Sequence, residues 1–179
     1  MILSDRDIKS YIKQGKIKIK PMAKITTNGI DLTIADEVGI DVSVTHKAID
    51  PTDKRSIHGS YEIHKIPKGG YLLEPREFYL LRTRELVAVD NSLIGIIKLK
   101  SSWARLGLLI PPTVLNAGSS GEIVAEIFNF RNAPLLIKRG MPFLHILFEK
   151  LSSNASASYS SVGHYYDQKG IRLPNPIRP

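Results

Sequence analysis

Cysteine is absent from the 179 residues. That excludes disulfides and removes the Cys-x-x-Cys signature on which most compact zinc sites depend. The five histidines, at 46, 58, 64, 145 and 164, show no His-x-x-x-His or His-x-Glu spacing, so no zinc site is expected. No apolar run approaches the roughly 18 residues needed to cross a bilayer. The opening Met1-Ile2-Leu3-Ser4-Asp5-Arg6-Asp7 has no basic region followed by an apolar core, so it does not read as a secretory signal, and a cytoplasmic protein is expected. Internal repeats are also lacking.

Charge of one sign is in excess. Lys and Arg number 25 against 17 Asp and Glu, a formal net charge of +8. Such a balance attracts nucleotides, nucleic acid and acidic membrane surfaces alike. Much of the excess lies in scattered lysines such as Lys9, Lys13, Lys16, Lys18 and Lys20. These read as solvated faces, so charge by itself does not select nucleic acid as the partner.

The 42% hydrophobic content and the length fit one globular domain, read as residues 1–151, followed by a tail over 152–179. Ser4 is placed to cap a helix, with Asp7 as capping-box partner, Ile8, Tyr11 and Ile12 on a shared face and Gly15 as its end. Period-two alternation follows: Ile17 and Ile19, then Ile30, Leu32 and Ile34, then Ile40, Val42 and Val44, each bounded by Gly, Pro, Asn or Asp. Residues 47–60 are polar and read as a loop. Further strands are expected over 61–66, 70–73, 78–89, 94–99, 122–130, 135–138 and 143–151. The one other helical candidate is a short turn over 102–106 with Gly107 to end it. The expected fold is mainly β, a sandwich or distorted barrel with a short N-terminal helix. The tail, serine-rich with few aliphatics but with Tyr159, Tyr165 and Tyr166, reads as mobile or as a segment that closes over a ligand.

Two segments carry chemistry. In Lys100-Ser101-Ser102-Trp103-Ala104-Arg105-Leu106-Gly107-Leu108, a helix start with two hydroxyls and two cations suits a phosphate; the same serines could equally cap the turn. In Gly121–Phe130, alternation puts Glu126 in a row with Val124, Phe128 and Phe130, opposite Ile123, Ala125 and Ile127. Loss of water from a carboxylate in an apolar row disfavours its charged form, which suits general acid–base work near neutral pH. Glu122 on the same face leaves open a wet surface, and Asn116-Ala117-Gly118-Ser119-Ser120-Gly121 reads first as a turn.

In order and spacing these segments resemble the dCTP deaminase family, which shares its fold with the trimeric dUTPases. The likeness runs through Met1–Ile8, Asn28-Gly29-Ile30-Asp31-Leu32, Leu73-Glu74-Pro75 with Glu77-Phe78, the Lys100–Leu108 motif, Pro111-Pro112-Thr113 of the archaeal branch, Lys138-Arg139-Gly140-Met141, and Gly163-His164-Tyr165 through Gln168 and Gly170. The resemblance implies a dUTPase-like (β-clip) jelly-roll and a homotrimer with active sites between neighbours. It implies Mg²⁺ carried by the nucleotide and no zinc, which agrees with the missing cysteines, and a role in supplying dUTP for thymidylate synthesis. Glu126 is then the general base that takes a proton from the attacking water, with Arg105 and Ser101 orienting glutamate and water. Lys100, Ser101 and Ser102 face the phosphates with Gln168 from the tail closing over them, Asn116 and Tyr159 lie at the sugar, and Arg105 and His164 also belong to the nucleotide-binding set.

The chain departs from the family pattern at four of these places. Lys100 stands where Arg is usual, losing the bidentate fork. His164 stands where Lys is usual, replacing an ammonium by an imidazole. Ser119 replaces a bulky aromatic. Asn116 replaces an aspartate that in dUTPases activates the hydrolytic water, a proton an amide cannot take. Deamination of dCTP is therefore expected ahead of dUTP hydrolysis or a bifunctional route to dUMP, and a non-catalytic nucleotide-binding relative is the remaining alternative.

Overall fold

The computed structural model describes residues 1–43 and 48–177; Val44 of the expected strand and His46 lie outside them. The opening helix α1 (Asp5–Lys13) has the expected capping box, Ser4 accepting from Asp7 and Asp7 accepting from the Ser4 backbone. Ile8 on its inner face is fully buried, with Tyr11 and Ile12 packed beside the core; burial of one such aliphatic contributes about 1.5–3 kcal/mol.

The remainder is almost entirely antiparallel β structure. In chain order the elements are β1 (Ile17–Lys20), β2 (Lys24–Ile25), β3 (Ile30–Asp41), α2 (Lys54–His58), β4 (Tyr61–Lys65), β5 (Tyr71–Leu73), β6 (Phe78–Val89), β7 (Leu93–Leu99), α3 (Ser101–Arg105), β8 (Leu108–Leu109), β9 (Thr113–Leu115), β10 (Ser120–Asn129), β11 (Leu135–Ile137), β12 (Pro142–Lys150) and α4 (Tyr159–Val162). The main sheet runs β8-β10-β6-β3-β12-β7-β9, with β1 added to β6 and β2 and β4 added to β3; β5 and β11 form a separate pair. In β1 the isoleucines point in and Lys18 and Lys20 point out, as alternation requires.

β3 shapes the molecule. The expectation of two short strands gives way to one strand of 12 residues. Its first residues pair with β12, Asp31 opposite His145 and Leu32 opposite Leu144, whereas Val38 to Ile40 pair with β6. Register shifts between Ile34 and Val38 and between Pro142 and Leu144 bend the sheet at the changeover. The curl encloses Phe143, Phe148, Ile30, Leu32, Leu81 and Ile127, all fully or nearly fully buried.

Two short helices depart from the sequence expectation. α2 occupies part of the supposed 47–60 loop, capped by Asp53, which accepts from the Arg55 N–H at 2.9 Å, and anchored by buried Ile57. α4 is capped by Ser158 in the same way. Each is a single turn held by one cap and one or two contacts, which leaves no periodic pattern to detect. The tail runs along the domain: the Ala155 N–H reaches Asn91 O, that of Tyr159 reaches Ala117 O, that of Asp167 reaches Ser120 O, and Ile177 donates to Pro51 O. No described helix is long and apolar enough to cross a membrane.

Candidate active site

Along β10 every second residue is buried and the intervening ones are half-buried. Glu126 belongs to the half-buried set with Val124 and Phe128, as alternation indicated, so its row faces away from the core, and the loss of water expected there is only partial within one chain. Opposite Glu126 on β6 lies Leu80. Over this row sits a cavity of 490 Å³ whose apolar wall includes Phe78, Leu80, Ile97 and Val124. Burial, joined by the charges of Asp41 and Glu126, holds the Tyr61 phenol on the cavity wall above its ordinary pKa. Tyr61 therefore remains a neutral hydrogen-bond donor near the carboxylate.

Glu122, on the same face, is not a sign of a wet surface. Arg82 donates to it at 2.9 Å and also to Asp36 at 2.6 Å and Glu37 at 2.8 Å, so three carboxylates converge on one guanidinium. Asp36 and Glu37 are held below the ordinary carboxylate range, chiefly by hydrogen bonds from Lys65 and then by Arg82. Glu122 further accepts from the Gly170 N–H at 2.7 Å, which ties the tail to β10.

The turn before β10 and the tail complete the cavity. Asn116 lines it, and its carbonyl accepts from Ser119 N–H at 3.0 Å, so the segment is the expected turn and a wall of the site at once. Gly118, at φ +76°, leaves room for Ser158 and Asn91, and Gly121, at φ +147°, lets the Gln168 backbone pass where a Cβ would stand within 2.7 Å of its nitrogen. Gln168 is 4% exposed; its carbonyl accepts from Glu122 N–H at 2.9 Å, and it lines the cavity with Tyr159. His164 lies exposed in the preceding turn and is not part of the wall.

The cationic segment lies elsewhere on the chain. Lys100, not a serine, is the N-cap of α3 and its side chain makes no capping bond, so Ser101 and Ser102 are exposed first-turn residues rather than caps. Trp103 fixes the helix by donating its indole N–H to Pro142 O at 2.9 Å. Arg105 is exposed and makes no ion pair among the described residues. Lys100 turns inward to Asp31, donating at 2.7 Å, while His145 Nδ1 lies 2.9 Å from the other Asp31 oxygen. Burial pushes the Asp31 carboxyl up, but the hydrogen bonds and charges of Lys100 and His145 outweigh it and hold the group below its ordinary range.

One chain thus brings Glu126, Asn116, Tyr159 and Gln168 to one cavity and does not bring Lys100, Ser101, Ser102 or Arg105 to its wall. Tyr61 and Arg172 line the cavity and Asp31 pairs with Lys100 away from it, roles that no sequence pattern assigns. Asp31 sits in the Asn-Gly-Ile-Asp segment, which carried a signal but no assigned role; Tyr61 and Arg172 carried none.

The family model described as dCTP deaminase-like matches residues 2–151. A dCTP deaminase of Ignicoccus hospitalis is 42% identical over 181 residues, 99% of each chain. Another from Sulfurisphaera tokodaii is 38% identical, covering 97% of this chain and 92% of that one. A probable deoxyuridine 5'-triphosphate nucleotidohydrolase of Sulfolobus islandicus rod-shaped virus 1 is 34% identical over 97% of this chain and 98% of its own. Among solved structures, the 2'-deoxycytidine 5'-triphosphate deaminase from Agrobacterium tumefaciens superposes with a TM-score of 0.67 at 19% identity, over 84% of this chain and 49% of that one, so this chain spans about half its length. A Staphylococcus bacteriophage dUTPase superposes with a TM-score of 0.51 at 13% identity over 80% of this chain. The curled antiparallel sheet is the fold these structures share, and the chain belongs to the dCTP deaminase-like family.

Proposed function

We propose that the protein deaminates dCTP to dUTP without zinc, as a homotrimer whose sites lie between neighbouring copies. The observation that carries this reading is the 490 Å³ cavity, in which an apolar wall surrounds Glu126 and the turn and tail supply Asn116, Tyr159 and Gln168. Glu126 takes a proton from water, hydroxide adds at C4 of cytosine, and the same carboxyl returns the proton to the departing amine, so that dCTP and water give dUTP and ammonia. The cytosine ring and sugar occupy the apolar wall, Asn116 and Tyr159 contacting the sugar.

The cations and hydroxyls that a triphosphate requires are supplied in this reading by the α3 segment of a neighbouring copy. Arg105 and Ser101 orient Glu126 and the water, while Lys100 and Ser102 hold phosphate oxygens; Gln168 and His164 approach from the tail. The approach of that segment also supplies the exclusion of water that one chain gives Glu126 only in part. Mg²⁺ enters with the triphosphate and neutralises part of its charge. In this reading the ion takes its oxygen ligands from the phosphates and from its own waters. We place the enzyme in the cytoplasm, with the nucleotide pool it draws on.

The viral relative named as a dUTP hydrolase keeps a second reading in view, release of pyrophosphate from dUTP. Asn116 on the cavity wall weighs against it, because an amide takes up no proton. Incubation of the purified protein with Mg²⁺ and either dCTP or dUTP, with ammonia and pyrophosphate assayed together, separates the two. Ammonia and dUTP from dCTP, with dUTP left intact, is the expected result; pyrophosphate from either nucleotide establishes hydrolysis, and no product from either leaves a nucleotide-binding relative without turnover.

A further inference from the structure

Among the described residues, Arg172 is the one basic side chain on the wall of the cavity. It belongs to the strap that follows the tail bridge, and both sides of it are anchored. Upstream, the Gly170 N–H is held by Glu122 at 2.7 Å and Ile171 is 8% exposed. Downstream, His58 Nε2 lies 3.2 Å from Pro174 O. The turn that delivers it contains two left-handed residues, Asp167 at φ 51° and Gly170 at φ 72°. The guanidinium donates Nη1–H to Tyr166 O at 3.2 Å and Nη2–H to Asp167 O at 3.4 Å, long contacts that engage part of the fork and leave its remaining N–H groups open.

The charge arrangement gives this placement a purpose. Within the same chain Lys100 lies off this wall, paired with Asp31 at 2.7 Å, and the wall carries the carboxylates Glu126 and Glu122, the latter sharing Arg82 with Asp36 and Glu37. A polyanion entering the cavity therefore meets its positive charge at Arg172. We infer that Arg172 binds the polyphosphate of the nucleotide and makes the cavity discriminate triphosphates from monophosphates. The inference rests on the nucleotide reading above and adds a phosphate ligand from the chain that supplies Glu126.

Titration calorimetry of the Glu126→Gln protein, which binds without turnover in that reading, tests it with dCTP and dCMP in the presence of Mg²⁺. Adding Arg172→Gln should weaken dCTP binding about tenfold or more, the size of a lost charge-assisted bond, and weaken dCMP binding much less. Arg172→Lys should recover most of the dCTP affinity. Equal losses for dCTP and dCMP, unrelieved by lysine, would show that Arg172 merely anchors the tail and overturn the inference, as would no loss for either. Binding of neither nucleotide by the Glu126→Gln protein would overturn the nucleotide reading itself, a result separable from the first two.

Discussion

Lys100 Nζ and Asp31 Oδ2 lie 2.7 Å apart, joining the cap of α3 to the start of β3 across 69 positions of sequence. With His145 on its other oxygen, Asp31 is a buried carboxylate held below its ordinary pKa. A depressed carboxylate contributes stability that is present above its unfolded value, about 3.9, and lost as pH falls through the lower folded value. Asp31→Asn should therefore lower stability by about 1–3 kcal/mol at neutral pH and flatten the acid limb of the pH–stability curve below about pH 4. Urea unfolding at pH 3 to 7 checks this; an unchanged acid limb would remove Asp31 from it.

Glu126→Gln retains size and hydrogen bonding but cannot accept a proton. Ammonia release from dCTP should fall by at least about 10²–10⁴-fold, the contribution of a positioned general base, while dCTP affinity changes little. Steady-state assay alongside calorimetry reads both quantities.

Asn116→Asp restores a proton acceptor to the cavity wall. The variant is expected to release pyrophosphate from dUTP, which the parent should leave intact; chromatography of the nucleotide products decides it. Persistent absence of dUMP would mean that more than this side chain separates the two chemistries.

At Gly121 the backbone has φ +147°, and a Cβ would come within 2.7 Å of the Gln168 nitrogen. Gly121→Ala should cost about 1–3 kcal/mol through strain and detach the tail from β10. Limited proteolysis would then cut between residues 152 and 170 much faster than in the parent, whereas an equal cutting rate would show that the bridge to Gln168 is not what holds the tail.

The alternation that placed Glu126 beside Val124 and Phe128 is visible in sequence because β10 is regular, and the same holds for β6, whose ends at Phe78 and Val89 were read correctly. What alternation leaves open is which of two faces a neighbour will cover, and Glu126 proves half-buried where a buried row was expected. Glu122 shows the same limit from another side: its partner Arg82 is 40 residues away, and no local pattern announces the pairing. The unity of β3 was hidden by the polar Asp36 and Glu37, which interrupt its apolar alternation because Arg82 holds both. The inward turn of Lys100 was equally hidden, since a lysine beside two serines at a helix start looks the same whether its ammonium faces solvent or a buried carboxylate.

Because Asp31 and Leu32 pair with β12 while Val38 to Ile40 pair with β6, β3 is common to both halves of the curled sheet. Neither half can open without breaking backbone bonds that the other depends on, so the domain has no natural seam along which to come apart. The amides of β3 are expected to be the slowest in the chain to exchange with deuterated solvent, and to do so only when the whole domain unfolds. A substrate-driven rearrangement in this fold is correspondingly confined to the segments outside that shared strand, the turn around Gly118 and the tail.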